Sequence, residues 1–184
     1  MSDVKVLVLV GSLRAESVNR QIADVLAAQV PAGVDVTVYD GLGDVPFYNE
    51  DLDTADAPAA VVALREAAAQ ADAALVVTPE YNGSIPAVLK NAIDWLSRPY
   101  GDGALKGKPL GVIGAALGQY GGVWAHDDTR KTFGIAGARV VESITLSVPL
   151  KSLDGAHPRE NAELVANLRK VVEQLVSEVG SVAA

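Results

Sequence analysis

Two arginines, two serines and an asparagine crowd into the stretch Ser12-Leu13-Arg14-Ala15-Glu16-Ser17-Val18-Asn19-Arg20, directly after Gly11 ends an apolar run. If a helix begins near Ser17, its first N–H groups are free and its dipole presents positive charge, which together bind anions. Arg14 would add a forked, charge-assisted contact to phosphate oxygens. The stretch reads equally as an ordinary strand-to-helix turn with a serine cap and solvated arginines, and both readings stand at this point. Other phosphate loops do not fit. Neither G-x-G-x-x-G nor G-x-x-x-x-G-K-[ST] follows the first apolar run, and Gly107-Lys108 runs into Pro109.

The second stretch with chemical content is Thr78-Pro79-Glu80-Tyr81-Asn82-Gly83-Ser84-Ile85-Pro86. Two prolines and a glycine prescribe a tight backbone course, and Tyr81 brings an aromatic face. A flat heteroaromatic ring needs amides along its polar edge and apolar surface against its face, and such a loop can offer both. The plain alternative makes Tyr81 a surface aromatic and Glu80 a solvated charge. Gly83 is expected to allow a close approach or a positive φ.

Other reactive side chains carry less. His126-Asp127-Asp128 lacks a second histidine at helical spacing, and His157 before Pro158 has no obvious metal-binding partner in the sequence, so solvated helix-start residues and no metal are expected. Absence of cysteine removes disulfides and thiolate chemistry, and no G-x-S-x-G elbow is present. Trp95 reads as helix core. Trp124, after the glycines, lines a pocket or sits on the surface. No side chain is assigned as a catalytic acid or base, and Glu80 is given a structural role.

The elements that must position these loops follow from periodicity. Val4–Val10 is a nearly continuous apolar run, the pattern of a strand buried on both faces. Ser17 caps a helix carrying Val18, Ile22, Val25 and Leu26. Strands are expected at 34–39, 73–77, 110–115 and 139–146. Helices are expected with Pro58 in a first turn, from Val88 to just before Pro99, from about Val123 to Ala136, and through Leu164–Leu175. Five strands alternating with five helices predict an α/β fold: one doubly wound, five-stranded parallel sheet with helices on both faces, forming a single domain over residues 1–184. Ligands of such sheets sit at the carboxyl ends of the strands, near the switch in strand order. A receiver-type signalling module shares this topology, but it needs acids where Gly11-Ser12 and Thr78-Pro79 stand.

Composition narrows the classes further. The chain of 184 residues has a formal net charge of −8 and is 49% hydrophobic. An acidic surface argues against nucleic-acid partners and anionic membranes. No apolar run approaches membrane-spanning length, and Met1-Ser2-Asp3 leads straight into a strand pattern, so a cytoplasmic location is the default expectation.

Gly11-Ser12-x-Arg14-x-x-Ser17-x-Asn19, together with Pro79-Glu80-Tyr81-Asn82-Gly83-Ser84-Ile85-Pro86 and the run to Arg98, resembles the NADPH-dependent FMN reductase family, which includes bacterial quinone, chromate and azo-dye reductases. The resemblance covers roughly residues 4–150 and implies a flavodoxin-like fold. It implies that Ser12, Arg14, Ser17, Val18 (through its N–H) and Asn19 cradle the FMN phosphate. Pro79, Glu80, Tyr81, Asn82 and Gly83 would run along the isoalloxazine ring. Ala115, Ala116, Leu117 and Gly118 would form the third flavin-facing loop, with backbone contacts in place of the serines many relatives carry there.

The implied activity is a ping-pong oxidoreductase that takes hydride from NADPH or NADH and reduces a flavin, quinone or similar small acceptor. A homodimer or homotetramer is implied too, with the helix 86–97 and Phe47-Tyr48 near the interface; those two aromatics suit local packing as well. The alternative is a flavodoxin-type electron carrier without nucleotide turnover. Against it, Arg14 stands where flavodoxins typically have a Thr/Ser/Gly-rich loop.

Overall fold

The computed structural model describes residues 3–180. Met1, Ser2 and residues 181–184, which the sequence reading included, lie outside the described residues. Six strands form one parallel sheet: β1 Val4–Val10, β2 Val34–Tyr39, β3 Ala73–Val77, β4 Pro109–Ala116, β5 Arg139–Val140 and β6 Ser147–Pro149. The order is β2-β1-β3-β4-β5, with β6 also pairing β4. Among the described residues five α-helices flank them, four crossing between strands and the last closing the chain order: α1 Val18–Ala27, α2 Ala59–Gln70, α3 Ala87–Leu96, α4 Val123–Ile135 and α5 Ala162–Ser177. The flavodoxin-like, doubly wound expectation holds.

Helices cover both faces of the sheet. Ile22 and Leu26 of α1 pack with Leu168 and Leu175 of α5 against Val8, Leu75 and Ile113. On the opposite face, Leu64 of α2, Ile93 and Trp95 of α3 and Phe133 of α4 bury Leu9, Val76 and Leu110. Every residue of β3 and β4 is buried, which explains why both read as unbroken apolar runs. Trp95 is core, as expected. Its indole N–H donates to the Pro46 carbonyl at 2.8 Å, and its ring meets Tyr48 edge-on.

Two expectations need correction. Pro58 stands one residue before the first turn of α2, as its N-cap. More consequentially, the single fifth strand over 139–146 is split. Val140 pairs with Leu110 and Ser147 with Gly114, so four residues of β4 face seven of the returning chain and three loop out. The loop-out closes with the Ile144 amide donating to the Val141 carbonyl (3.1 Å). The Arg130 guanidinium pins it by donating to the Ile144 and Val112 carbonyls at 2.9 and 3.0 Å. Val141 and Ile144 remain buried, so their hydrophobicity looks strand-like while their backbone turns.

Among the described residues, no helix is long and apolar enough to cross a membrane.

Candidate functional site

Three loops leave the carboxyl ends of β1, β3 and β4 and enclose a cavity of about 370 Å³, within the range of small-molecule sites.

The first loop supplies donors at one end. Ser17 caps α1, its hydroxyl accepting from the Arg20 amide at 3.4 Å. That leaves the Val18 and Asn19 amides, the first two of the helix, with no acceptor among the described residues. Ser12 and Arg14 complete this end of the cavity. Arg14 is exposed and donates from one guanidinium nitrogen to the Glu16 carbonyl (2.8 Å), with no acidic side chain paired to it among the described residues. Arg20 points elsewhere and pairs with Asp24 and Asp40. Asn19 is buried and its side chain is committed: Nδ2 donates to the Ala115 carbonyl and Oδ1 accepts from the Ala115 amide. Its backbone N–H is what remains for a ligand.

The second loop is a hairpin. Tyr81 and Ser84 exchange backbone hydrogen bonds of 3.2 and 3.1 Å around Asn82 (φ 53°) and Gly83 (φ 74°). Two successive positive φ values make the tight turn whose second position favours glycine, as expected of Gly83. Pro79, Glu80 and Tyr81 line the cavity, whereas Asn82 and Gly83 form the turn tip outside it.

Glu80 is structural, in a specific way. The α4 helix starts at Gly122 (φ 95°), which has no side chain to cap it. Glu80 Oε2 accepts from the Trp124 and Ala125 amides instead, at 3.1 and 3.2 Å, placing a carboxylate at a helix N-terminus. Ser84 donates to Asp128 at 2.9 Å, fastening the hairpin one turn further along α4.

The third loop brings Ala115, Ala116 and Leu117 to the wall as an apolar surface, and Leu150 beyond β6 completes it. Leu150 was not among the expected residues; its arrival depends on the split fifth strand. Gly118 lies instead in an adjoining depression of about 170 Å³ with Tyr120 and Trp124, which shares Glu80 with the main cavity. Trp124 is 61% exposed, packs near Gly83 and lines this depression rather than the main cavity.

His126 corrects the sequence reading. Expected as a solvated helix-start residue, it is fully buried. One ring nitrogen lies 3.1 Å from the Thr78 carbonyl oxygen and the other 2.7 Å from the Ser147 hydroxyl. Burial pushes its pKa below the usual histidine value; the Thr78 hydrogen bond opposes this, and Arg130 adds to it. Among the described residues, no group of three or more His, Cys, Asp or Glu side chains gathers as a metal site.

Free amides and an exposed guanidinium at one end suit a phosphate monoester, and the hairpin backbone with an apolar wall suits a flat ring. The sequence model of NADPH-dependent FMN reductases matches residues 4–152. A 2-hydroxy-1,4-benzoquinone reductase of a Burkholderia species is 43% identical over 127 residues, covering 69% of this chain and 68% of that protein. A quinone reductase of Pseudomonas putida is 44% identical over 133 residues, 72% and 71% of the two chains. Among solved structures, FerB of Paracoccus denitrificans, a flavoenzyme NAD(P)H:(acceptor) oxidoreductase, superposes with a TM-score of 0.84 at 33% identity, over 96% of this chain and 97% of that one.

Proposed function

The chain belongs to the NADPH-dependent FMN reductase family, and from that premise we propose how its residues serve an NAD(P)H-dependent quinone reductase. The enzyme is an FMN-dependent oxidoreductase that draws on NADPH or NADH and reduces quinone-like acceptors. When bound, FMN would supply the two-electron redox chemistry that links nucleotide and acceptor.

The protein's part is binding and orientation. The Val18 and Asn19 amides, Ser12 and Arg14 hold the phosphate; Ser17 serves by shaping the helix start. Pro79, Glu80 and Tyr81 align the ring edge through the hairpin backbone, and Ala115, Ala116 and Leu117 give the ring an apolar surface that excludes water. Asn82, Gly83 and Gly118 act through backbone conformation. No side chain needs to move a proton for hydride transfer. Half-exposed Tyr81 stands at the rim where nucleotide and acceptor alternate. The observation that carries this reading is the union, in one cavity, of free helix-start amides with a turn-rigidified hairpin edge.

Residues 1–184 act as one flavin-binding domain, in the cytoplasm, as a homodimer. Phe47, 80% exposed, and Ile135, 75% exposed, are large apolar side chains on the surface that a second copy would cover; pairing of dimers gives the tetramer. The flavodoxin-type carrier is set aside, because the relatives 43% and 44% identical in sequence are quinone reductases.

The test is to load the protein with FMN, mix it anaerobically with NADPH or NADH, and follow flavin absorbance, then add a benzoquinone. Bleaching and its reversal by quinone are expected. A flavin that stays oxidised with both nucleotides would overturn the proposal.

A further inference from the structure

The buried His126 has no part in the chemistry described, yet both its ring nitrogens are engaged by separate elements. Thr78 is the residue at which the loop leaves β3, and it is itself fully buried. Its carbonyl lies past the last paired strand residue and accepts no backbone amide among the described residues. Left alone it would be a buried, unsatisfied acceptor. Pro79 follows and has no N–H with which to anchor the loop.

A carbonyl can only accept, so the ring nitrogen facing it, Nε2, carries the proton. In the neutral ring Nδ1 is then bare and accepts from the Ser147 hydroxyl. Space around the ring is equally specified: a β-carbon on Gly122 would come within 3.3 Å of Nε2, and one on Gly114 would collide with the Thr78 carbonyl.

We propose that His126 is a positioning residue for the flavin site: fixed by Ser147, it holds the Thr78 carbonyl and thereby sets the course of Pro79, Glu80 and Tyr81 along the cavity. This rests on reading that cavity as the FMN site. The histidine lies between the Glu80 and Ser84 attachments on α4, so the loop is held to one helix at three successive points. Of the three, only the histidine reaches the residue at which the loop leaves the sheet.

The experiment uses FMN-loaded wild type and the variants His126→Phe, His126→Gln and Ser147→Ala. Histidine nitrogen NMR of wild type should show one ring protonated at Nε2 with Nδ1 bare at neutral pH. His126→Phe keeps the ring volume and removes both hydrogen bonds; FMN should bind about fivefold more weakly, the worth of a net hydrogen bond, and the bound-flavin absorption band should shift. His126→Gln, whose amide can donate to Thr78, should restore affinity to within about twofold, and Ser147→Ala should lose roughly two- to threefold. A ring protonated at Nδ1 would overturn the proposal. So would a folded His126→Phe that binds FMN with wild-type affinity and spectrum, or glutamine behaving no better than phenylalanine. Should His126→Phe fail to fold, the wild-type tautomer and Ser147→Ala decide. Failure of wild type to take up FMN would instead strike the flavin reading, which separates the two ideas.

Discussion

Asn19, at the start of the first helix, embraces the peptide of Ala115, at the end of the fourth strand, from both sides: Nδ2 to the carbonyl at 2.9 Å and the amide to Oδ1 at 2.8 Å. The amide side chain thereby ties the donor end of the cavity to its apolar wall. Only a side chain carrying donor and acceptor together can do so. Asn19→Ala strands two buried backbone groups and should destabilise the fold by about 2–3 kcal/mol, read in urea unfolding. Asn19→Asp retains the acceptor and loses the donor, so it should not rescue fully. Wild-type stability in the alanine variant would contradict the buried pairing.

Arg14 tests the phosphate end. Arg14→Ala should weaken FMN binding by about 1.5–3 kcal/mol, the worth of a charge-assisted hydrogen bond. Riboflavin, which lacks the phosphate, should lose far less. Fluorescence titration of both flavins makes the comparison, and equal losses would remove the phosphate assignment.

Gly83 and Glu80 separate backbone from side-chain roles in the hairpin. At φ 74° a β-branched residue is strained, so Gly83→Val should distort the turn and slow flavin reduction strongly. Glu80→Gln keeps an oxygen for the Trp124 and Ala125 amides and loses the charge at the helix start, a change of about 0.3–1 kcal/mol in stability. Rapid-mixing measurement of flavin reduction at saturating FMN should find Glu80→Gln near wild type. A collapse of turnover in Glu80→Gln alone would demand a direct chemical role for the carboxylate.

His126 predicts a pH dependence with a definite sign. Its folded pKa lies below its ordinary value of 6.5 because burial disfavours the charged ring. Arg130 repels that charge, while Glu80 and Asp127 partly offset the effect. The unfolded chain therefore binds more protons just below that value, and stability falls as pH drops from about 6.5 toward the folded pKa. Urea unfolding across that window should show a shallower loss for His126→Gln than for wild type. Equal slopes would mean that the ring is not buried in the neutral form.

Assembly is the remaining expectation. Light scattering should report a dimer at micromolar concentration, and Phe47→Glu, altering an exposed aromatic outside the cavity, should shift it toward monomer. A fully active wild-type monomer would refute the interface.

The apolar runs of β1, β3 and β4 were legible because a strand buried on both faces leaves no alternation to misread. The two chemical loops were legible for a different reason: local turn chemistry requires proline, glycine and a capping serine at particular places. What escaped was non-local. Asn19 reads as a ligand until Ala115, 96 residues away, claims its side chain. Glu80 caps a helix 44 residues on. His126 sits among Asp127, Asp128 and Arg130, so its helix reads as polar, and nothing local says that one position in that turn faces inward. The break in the fifth strand was hidden because Val141 and Ile144 stay buried through the turn.

That break has a consequence for how such a cavity can diversify. At about 3.3 Å per residue, an unbroken strand would carry Leu150 some 10 Å past its present place beside Ala116. The three looped-out residues thus work as an adjustable spacer between a fixed sheet and the apolar wall of the cavity. Lengthening or shortening 141–146 would exchange which side chain completes that wall, while the Asn19 clasp and the β3 hairpin remain as they are. The shape of the cavity can drift through the length of one outlying segment, without a single substitution in the three loops that enclose it.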